Sequence, residues 1–79
     1  MREKKQCTVL TFQSTTEAMA MEKRCRERAI PGRLIPVPRE ITAGCGLVWR
    51  MTAEEYALWR PELERLGLRF HRAVELMLF

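Results

Sequence analysis

A cysteine held between two glycines is the residue of this sequence best suited to chemistry. Cys45 lies between Gly44 and Gly46, so no bulky neighbour in the chain covers its sulfur. A cysteine that serves only packing usually sits among apolar residues of a helix or strand. Arg39 and Arg50 flank the loop and could bring positive charge to the sulfur. The local pattern therefore predicts an accessible, nucleophilic thiol at Cys45.

The start of the first predicted helix offers a second source of stabilisation for a thiolate. Ser14, Thr15 and Thr16 occupy this helix start, where free backbone N–H groups and positive potential favour an anion. We expect this helix start to lie beside the Cys45 loop, because the helix start and the loop occupy the same end of the predicted fold. The two glycines also let backbone N–H groups turn toward the sulfur. All of these groups favour the thiolate, which is the nucleophile in sulfur transfer and disulfide exchange.

A structural explanation of the loop stays open from sequence alone. The glycines can serve a turn that needs positive φ, with Cys45 as an incidental small residue. Cys25 lies on the apolar face of the first predicted helix and is expected in the core. Cys7 begins the first predicted strand, at the far end from Cys45, which disfavours a disulfide between them. The odd number of cysteines, with His71 as the one histidine, argues against a disulfide scaffold and against structural zinc.

Composition and charge limit the classes of protein to which this chain can belong. A chain of 79 residues suffices for one modest core, so residues 1–79 are predicted to form a single domain with a basic tail at 1–6. The net charge of +4 permits an acidic partner or nucleic acid without requiring either. No apolar run approaches the ~20 residues of a membrane span, and no secretion signal is recognisable. A cytoplasmic location without membrane association is expected.

Hydrophobic periodicity and turn residues predict the order β-α-β-β-α-β. Each helix follows a capping box, Ser14–Glu17 for the first and Thr52–Glu55 for the second. Pro61 is expected to kink or split the second helix. Right-handed crossovers then favour a ferredoxin-like α+β sandwich, with a four-stranded antiparallel sheet and two helices on one face. The strands are expected at residues 7–13, 33–37, 46–51 and 68–76.

The segment IPVPREITAGCGL, at residues 35–47, resembles the motif of the selenium/sulfur carrier-like family of short bacterial proteins. The Ser-Thr helix start and the basic strand end at Arg50 belong to the same resemblance, which extends over residues 9–76. It implies that sulfur or selenium is held as a persulfide or selenopersulfide on the motif cysteine, here Cys45. It also implies two partners: a donor enzyme, such as a cysteine desulfurase or selenocysteine lyase, and an acceptor protein.

The resulting hypothesis is a carrier that passes a sulfur or selenium atom between proteins. No metal and no tightly bound cofactor are expected, since the cargo is held transiently on Cys45. One nucleophile without a neighbouring base favours a carrier over a complete catalyst. The residues expected to stabilise the cargo anion are Arg39, Gly44, Gly46, Arg50, Ser14, Thr15 and Thr16.

Two other functions stay open from the sequence. The same strand order occurs in RNA-recognition domains, but these stack bases on two or three aromatic side chains of the exposed sheet face. Only Trp49 and Phe12 are candidates for such a platform, so nucleic acid is disfavoured. A ligand-binding or oligomerising module is the other alternative. Its expected form is a homodimer through the C-terminal strand, and Cys45 would then be dispensable.

Overall fold

The chain folds into one four-stranded sheet and two helices in the computed structural model, which describes residues 3–41 and 44–78. The strands are antiparallel and follow the order β2-β3-β1-β4, which confirms the predicted ferredoxin-like α+β layout. β1 begins at Lys5, so the last two residues of the predicted tail belong to the sheet. None of the helices in the described ranges is long and apolar enough to cross a membrane. The elements are β1 (Lys5–Thr11), α1 (Thr15–Glu27), β2 (Arg33–Pro36), β3 (Leu47–Thr52), α2 (Ala53–Arg65) and β4 (Arg72–Leu78).

Both helices pack on the same face of the sheet. On the opposite face, which we call the open face, Val9 and Val48 pack with Ile41 from the β2–β3 connection. Side chains alternate between the two faces along each strand, and β1 is buried on both from Cys7 to Phe12. The helix-side core consists of Leu10, Phe12, Ala18, Met21, Cys25, Ile30, Trp49, Met51 and Leu63.

Two N-caps determine where the helices begin. Ser14 Oγ accepts a hydrogen bond from the Glu17 amide at 3.3 Å, as predicted. The Glu17 carboxylate, however, accepts from the Gln13 amide at 3.0 Å, one residue before the expected partner. At α2 the predicted capping box is complete: the Glu55 amide donates to Thr52 Oγ1 at 3.0 Å, and the Thr52 amide donates to the Glu55 carboxylate at 2.9 Å. A side-chain N-cap therefore starts both helices, but the predicted reciprocal capping box is complete only at α2.

β4 begins later than the sequence pattern predicts. Leu68 and Phe70 belong to the connection from α2, and they pack against the helix-side core instead of pairing with β1. The His71 amide then donates to the Thr11 carbonyl at 2.6 Å, and ladder pairing starts at Arg72 opposite Thr11. Alternating apolar and polar residues are compatible with a strand, and equally with a loop that packs two apolar side chains against the core. The prediction of a strand from residue 68 is therefore wrong.

α2 is a single helix, so Pro61 does not split it. Pro61 has no N–H to donate to the carbonyl four residues earlier, at Ala57. Both residues are exposed, so water can satisfy that carbonyl. The buried Leu63 holds the C-terminal half of the helix against the core. Tertiary packing and solvent access thus explain why the helix continues.

Gly32, between α1 and β2, stands where no other residue fits. Its φ is +132°, and a Cβ added there would lie 2.5 Å from Trp49 Nε1 and 2.8 Å from the Arg50 carbonyl oxygen. Trp49 is 3% exposed and packed in the helix-side core, so its ring has little room to move away. Gly32 therefore combines backbone strain with a steric conflict for any side chain.

We expect Gly32→Ala to lower the free energy of unfolding by about 3 kcal/mol, since it adds overpacking to an unfavourable φ. Gly67→Ala is the matched control, because Gly67 also has a positive φ of +68° but no atom within 4 Å of its Cβ position. Its expected cost is about 1 kcal/mol. Urea unfolding followed by circular dichroism measures both. Equal losses in the two variants would contradict the packing of Trp49 on Gly32.

We expect Pro61→Ala to raise the free energy of unfolding by about 1–2 kcal/mol. The gain in helix propensity is about 3 kcal/mol. The greater flexibility of the unfolded chain without the proline offsets about 1 kcal/mol of this gain. Glu64→Ala, at an exposed position of the same helix, is the control and is expected to change stability by under about 0.5 kcal/mol. Urea unfolding again provides the measurement. A less stable Pro61→Ala protein would show that the proline is needed for the course of α2.

Candidate functional site

The β2–β3 connection wraps around one end of the sheet. The Val37 amide donates to the Gly46 carbonyl at 3.0 Å, which extends the β2–β3 ladder by one pair. The Ile41 amide donates to the Pro38 carbonyl at 3.0 Å, which closes a tight turn. The Ile41 side chain then covers the open face, whereas Cys45 packs against the helix-side core. Ile41 and Cys45 thus contact opposite faces of the sheet.

Cys45 differs from the other two cysteines in its exposure. It is half-buried, and its Sγ donates a hydrogen bond to the Leu47 carbonyl at 3.4 Å. Cys7 and Cys25 are fully buried. Burial raises the pKa of the Cys25 thiol to about 11, because desolvation disfavours the thiolate. The prediction of Cys25 as a core residue is confirmed.

Cys7 lies at the far end of the sheet from Cys45, as predicted. It stands opposite Thr52, the last residue of β3, whereas Cys45 lies two residues before that strand begins at Leu47. β3 alone extends about 17 Å between these two ends. A disulfide between the two cysteines is therefore incompatible with the fold.

The two glycines beside Cys45 have different structural roles. Gly46 has a φ of +79° and no atom within 4 Å of its Cβ position, so it serves the backbone turn. Gly44 lacks such a φ, but its Cβ position lies 3.5 Å from the Gln13 carbonyl oxygen and 3.7 Å from that of Phe12. The structural explanation left open by the sequence therefore holds for Gly46. Gly44 instead brings the loop close to the backbone that leads into α1.

The contact at Gly44 places the cysteine loop next to the start of α1. Gln13 directly precedes the N-cap, and Ser14, Thr15 and Thr16 are all exposed. The first amides of a helix have no partner within it, and of these the Glu17 amide is already bonded to Ser14 Oγ. The loop and the helix start thus lie at the same end of the sheet, as the predicted topology required. The role of these residues toward the sulfur stays a prediction.

The two arginines of the predicted site lie in different places. Arg39 is exposed in the turn before Ile41, and among the described residues no hydrogen bond joins it to Cys45. Arg50 is on the open face of β3, directly opposite Arg33 of β2. It lies three residues beyond Leu47, about 10 Å along the strand. The structure therefore groups Arg50 with Arg33 and not with the cysteine loop, which faces the helix side.

A depression next to the cysteine loop was not foreseen from the sequence. It has a volume of about 440 Å³ and is lined by Gln13, Glu17 and residues 68–71. Two of the lining residues are within hydrogen-bonding distance of each other, with Gln13 Nε2 3.3 Å from His71 Nδ1. Gln13 also touches the cysteine loop at Gly44, so the depression adjoins the site. The sequence does not indicate this depression, because the alternating apolar and polar residues of segment 68–71 predict a strand instead of a loop.

The aromatic candidates for an RNA-binding platform lie inside the molecule. Phe12 is 1% exposed and Trp49 is 3% exposed, both on the helix side of the sheet. The open face of the described strands carries no aromatic side chain on which a base could stack. In the same part of the chain, no group of three or more His, Cys, Asp or Glu residues could hold a metal ion.

We expect iodoacetamide to label one thiol of the native protein, at Cys45, because Cys7 and Cys25 are inaccessible. All three thiols should react after unfolding in urea. Mass spectrometry of the intact protein counts the labels, and Cys45→Ser should take none in the native state. Rapid native labelling of Cys7 or Cys25 would contradict the burial described above.

Comparison with known proteins identifies the family. A family model described as "Putative Se/S carrier protein-like" matches residues 7–75, from β1 into β4 and including the whole cysteine loop. The comparisons with curated proteins and with solved structures found no match. Since the family model covers most of the chain, the chain belongs to the Se/S carrier protein-like family.

Proposed function

We propose that this protein carries a sulfur or selenium atom on Cys45, as a persulfide or selenopersulfide, between a donor and an acceptor protein. The observation that supports the proposal most directly is the contrast among the three thiols. Cys45 is half-buried at one end of the sheet, whereas Cys7 and Cys25 are sealed in the fold. A partner can reach Cys45 without any unfolding, and the resemblance of its loop to the family motif supports Cys45 as the cargo-bearing cysteine.

Loading is a thiol exchange that needs no external oxidant. The Cys45 thiolate attacks the terminal sulfur of a persulfide on the donor, and a new S–S bond forms at Sγ. The bond between that terminal sulfur and the donor cysteine breaks, and the donor leaves as a thiolate. Delivery repeats the exchange with an acceptor nucleophile and returns Cys45 to its starting state. A selenopersulfide donor supplies selenium by the same steps, with attack on the terminal selenium.

The surroundings of Cys45 explain how the terminal anion would be held. In the thiol form, Sγ donates to the Leu47 carbonyl. A carbonyl oxygen repels a thiolate, so the ionised or loaded sulfur should turn away from Leu47. The exposed start of α1, with the amides of Thr15 and Thr16, lies at the same end of the sheet and attracts an anion. Arg39, exposed in the same loop, adds a cation that the cargo can recruit.

A carrier of this kind requires partners but no resident cofactor. A persulfide-bearing segment of the donor could rest in the depression lined by Gln13 and His71, which adjoins the loop. A free, accessible thiol persists in a reducing compartment, so we place the protein in the cytoplasm. The protein holds its cargo covalently. It needs no base of its own, because the donor supplies the leaving group during loading and the acceptor supplies the nucleophile during delivery.

We expect the native protein to gain the mass of one sulfur atom when treated with glutathione persulfide, and of one selenium atom with the selenium analogue. The increase should disappear on reduction, and cyanide should release the cargo as thiocyanate or selenocyanate. Intact-protein mass spectrometry and colorimetric cyanolysis measure the two readouts.

Cys45→Ser is the matched variant for this loading test, because it keeps both buried thiols. Circular dichroism checks that it folds like the parent protein. Equal loading of Cys45→Ser would overturn the assignment of the cargo to Cys45. A parent protein that takes up neither atom would overturn the carrier function itself.

A further inference from the structure

All charged side chains on the open face of the described strands are positive. Side chains alternate along each strand, and the register pairs Arg33 with Arg50 and places Arg50 opposite Val9. Lys5 and Arg72 lie on this same face of β1 and β4. The one carboxylate among the described strand residues, Glu75, points to the helix side. The charged positions of the open face are thus all cationic, and they lie beside its apolar cluster.

Three of these cations meet in one depression. Lys5, Arg33 and Arg50 line a cavity of about 280 Å³ at the end of the sheet away from Cys45. Glu55 is the one acidic residue of its lining, and its carboxylate accepts the Thr52 amide in the capping box of α2. Its position is therefore set by the helix start. The lining carries three positive charges and one negative charge.

Two cations of this lining have no counter-charge among the described residues. Arg33 and Lys5 form no ion pair with any described residue. By contrast, Arg26, Arg60 and Arg65 all pair with glutamates of their own helix. A negatively charged ligand in the depression would supply the counter-charge that Arg33 and Lys5 lack.

We propose that this depression binds a small oxyanion, namely the phosphate or carboxylate group of a small molecule. Guanidinium groups recognise such groups through two parallel hydrogen bonds, and Arg33 supplies one guanidinium in the same lining as the Lys5 ammonium group. A volume of about 280 Å³ is sufficient for a phosphate or a small polycarboxylate. The open face also lacks the aromatic side chains that bases would need. The site is independent of Cys45 and of the carrier function.

The test titrates the ¹⁵N-labelled protein with inorganic phosphate, and separately with citrate, at an ionic strength held constant with sodium chloride. We expect saturable shifts of the backbone amide signals of Gly32, Arg33 and residues 50–52. Arg33→Gln should weaken binding at least tenfold. Arg60→Gln is the matched control, because it removes the same charge from an exposed site on α2 and should leave binding unchanged.

Several outcomes would overturn this proposal. The first is amide shifts that do not saturate, the second is shifts spread over the whole surface, and the third is equal weakening of binding by the two arginine variants. Each of these outcomes would indicate charge screening only. Binding of an acetylated hexaglutamate peptide without binding of phosphate or citrate would also overturn it, in favour of an acidic protein partner. Cys45→Ser should bind phosphate like the parent protein, so failure of this site and failure of the carrier function are separately detectable.

Discussion

The burial of β1 on both faces is the constraint on which the rest of the structure depends. β1 pairs with β3 on one side and β4 on the other, and every residue from Cys7 to Phe12 is buried. The two helices can cover only one face. Val9 and Val48 on the open face need another cover, and Ile41 of the β2–β3 connection provides part of it, together with aliphatic side chains of β2 and β4. The need to bury apolar area therefore draws this connection across the sheet.

The course of that connection also positions the cysteine. Having covered the open face at Ile41, the chain must return to enter β3, and Cys45 contacts the helix-side core on the way. Gly46 provides the left-handed backbone for the return, and the loop lies close to Gln13 at Gly44. Core packing and site geometry are thus linked through a few residues. A loop free of the sheet would leave the sulfur without a defined relation to α1.

The two ends of the sheet differ in chemistry. One end holds the half-buried thiol, the exposed helix start and the depression around Gln13 and His71. The other end holds three cations around a smaller cavity. This separation follows from the antiparallel order, because Cys45 precedes β3 whereas Arg50 lies near its end. A residue five positions from a cysteine is close in the sequence, yet an extended strand carries it away and the alternation of side chains places it on the other face.

The sequence by itself determined the element order, both helix starts and the identity of the accessible cysteine. These depend on local chemistry: capping residues, periodicity, and small neighbours around a thiol. Only the tertiary structure decided that Leu68 and Phe70 pack against the core from a loop, that α2 continues through Pro61, and that Arg50 lies opposite Arg33. Each of these depends on which surface a segment meets after folding. Burial, solvent access and strand register are properties of the assembled molecule, and a single segment does not encode them.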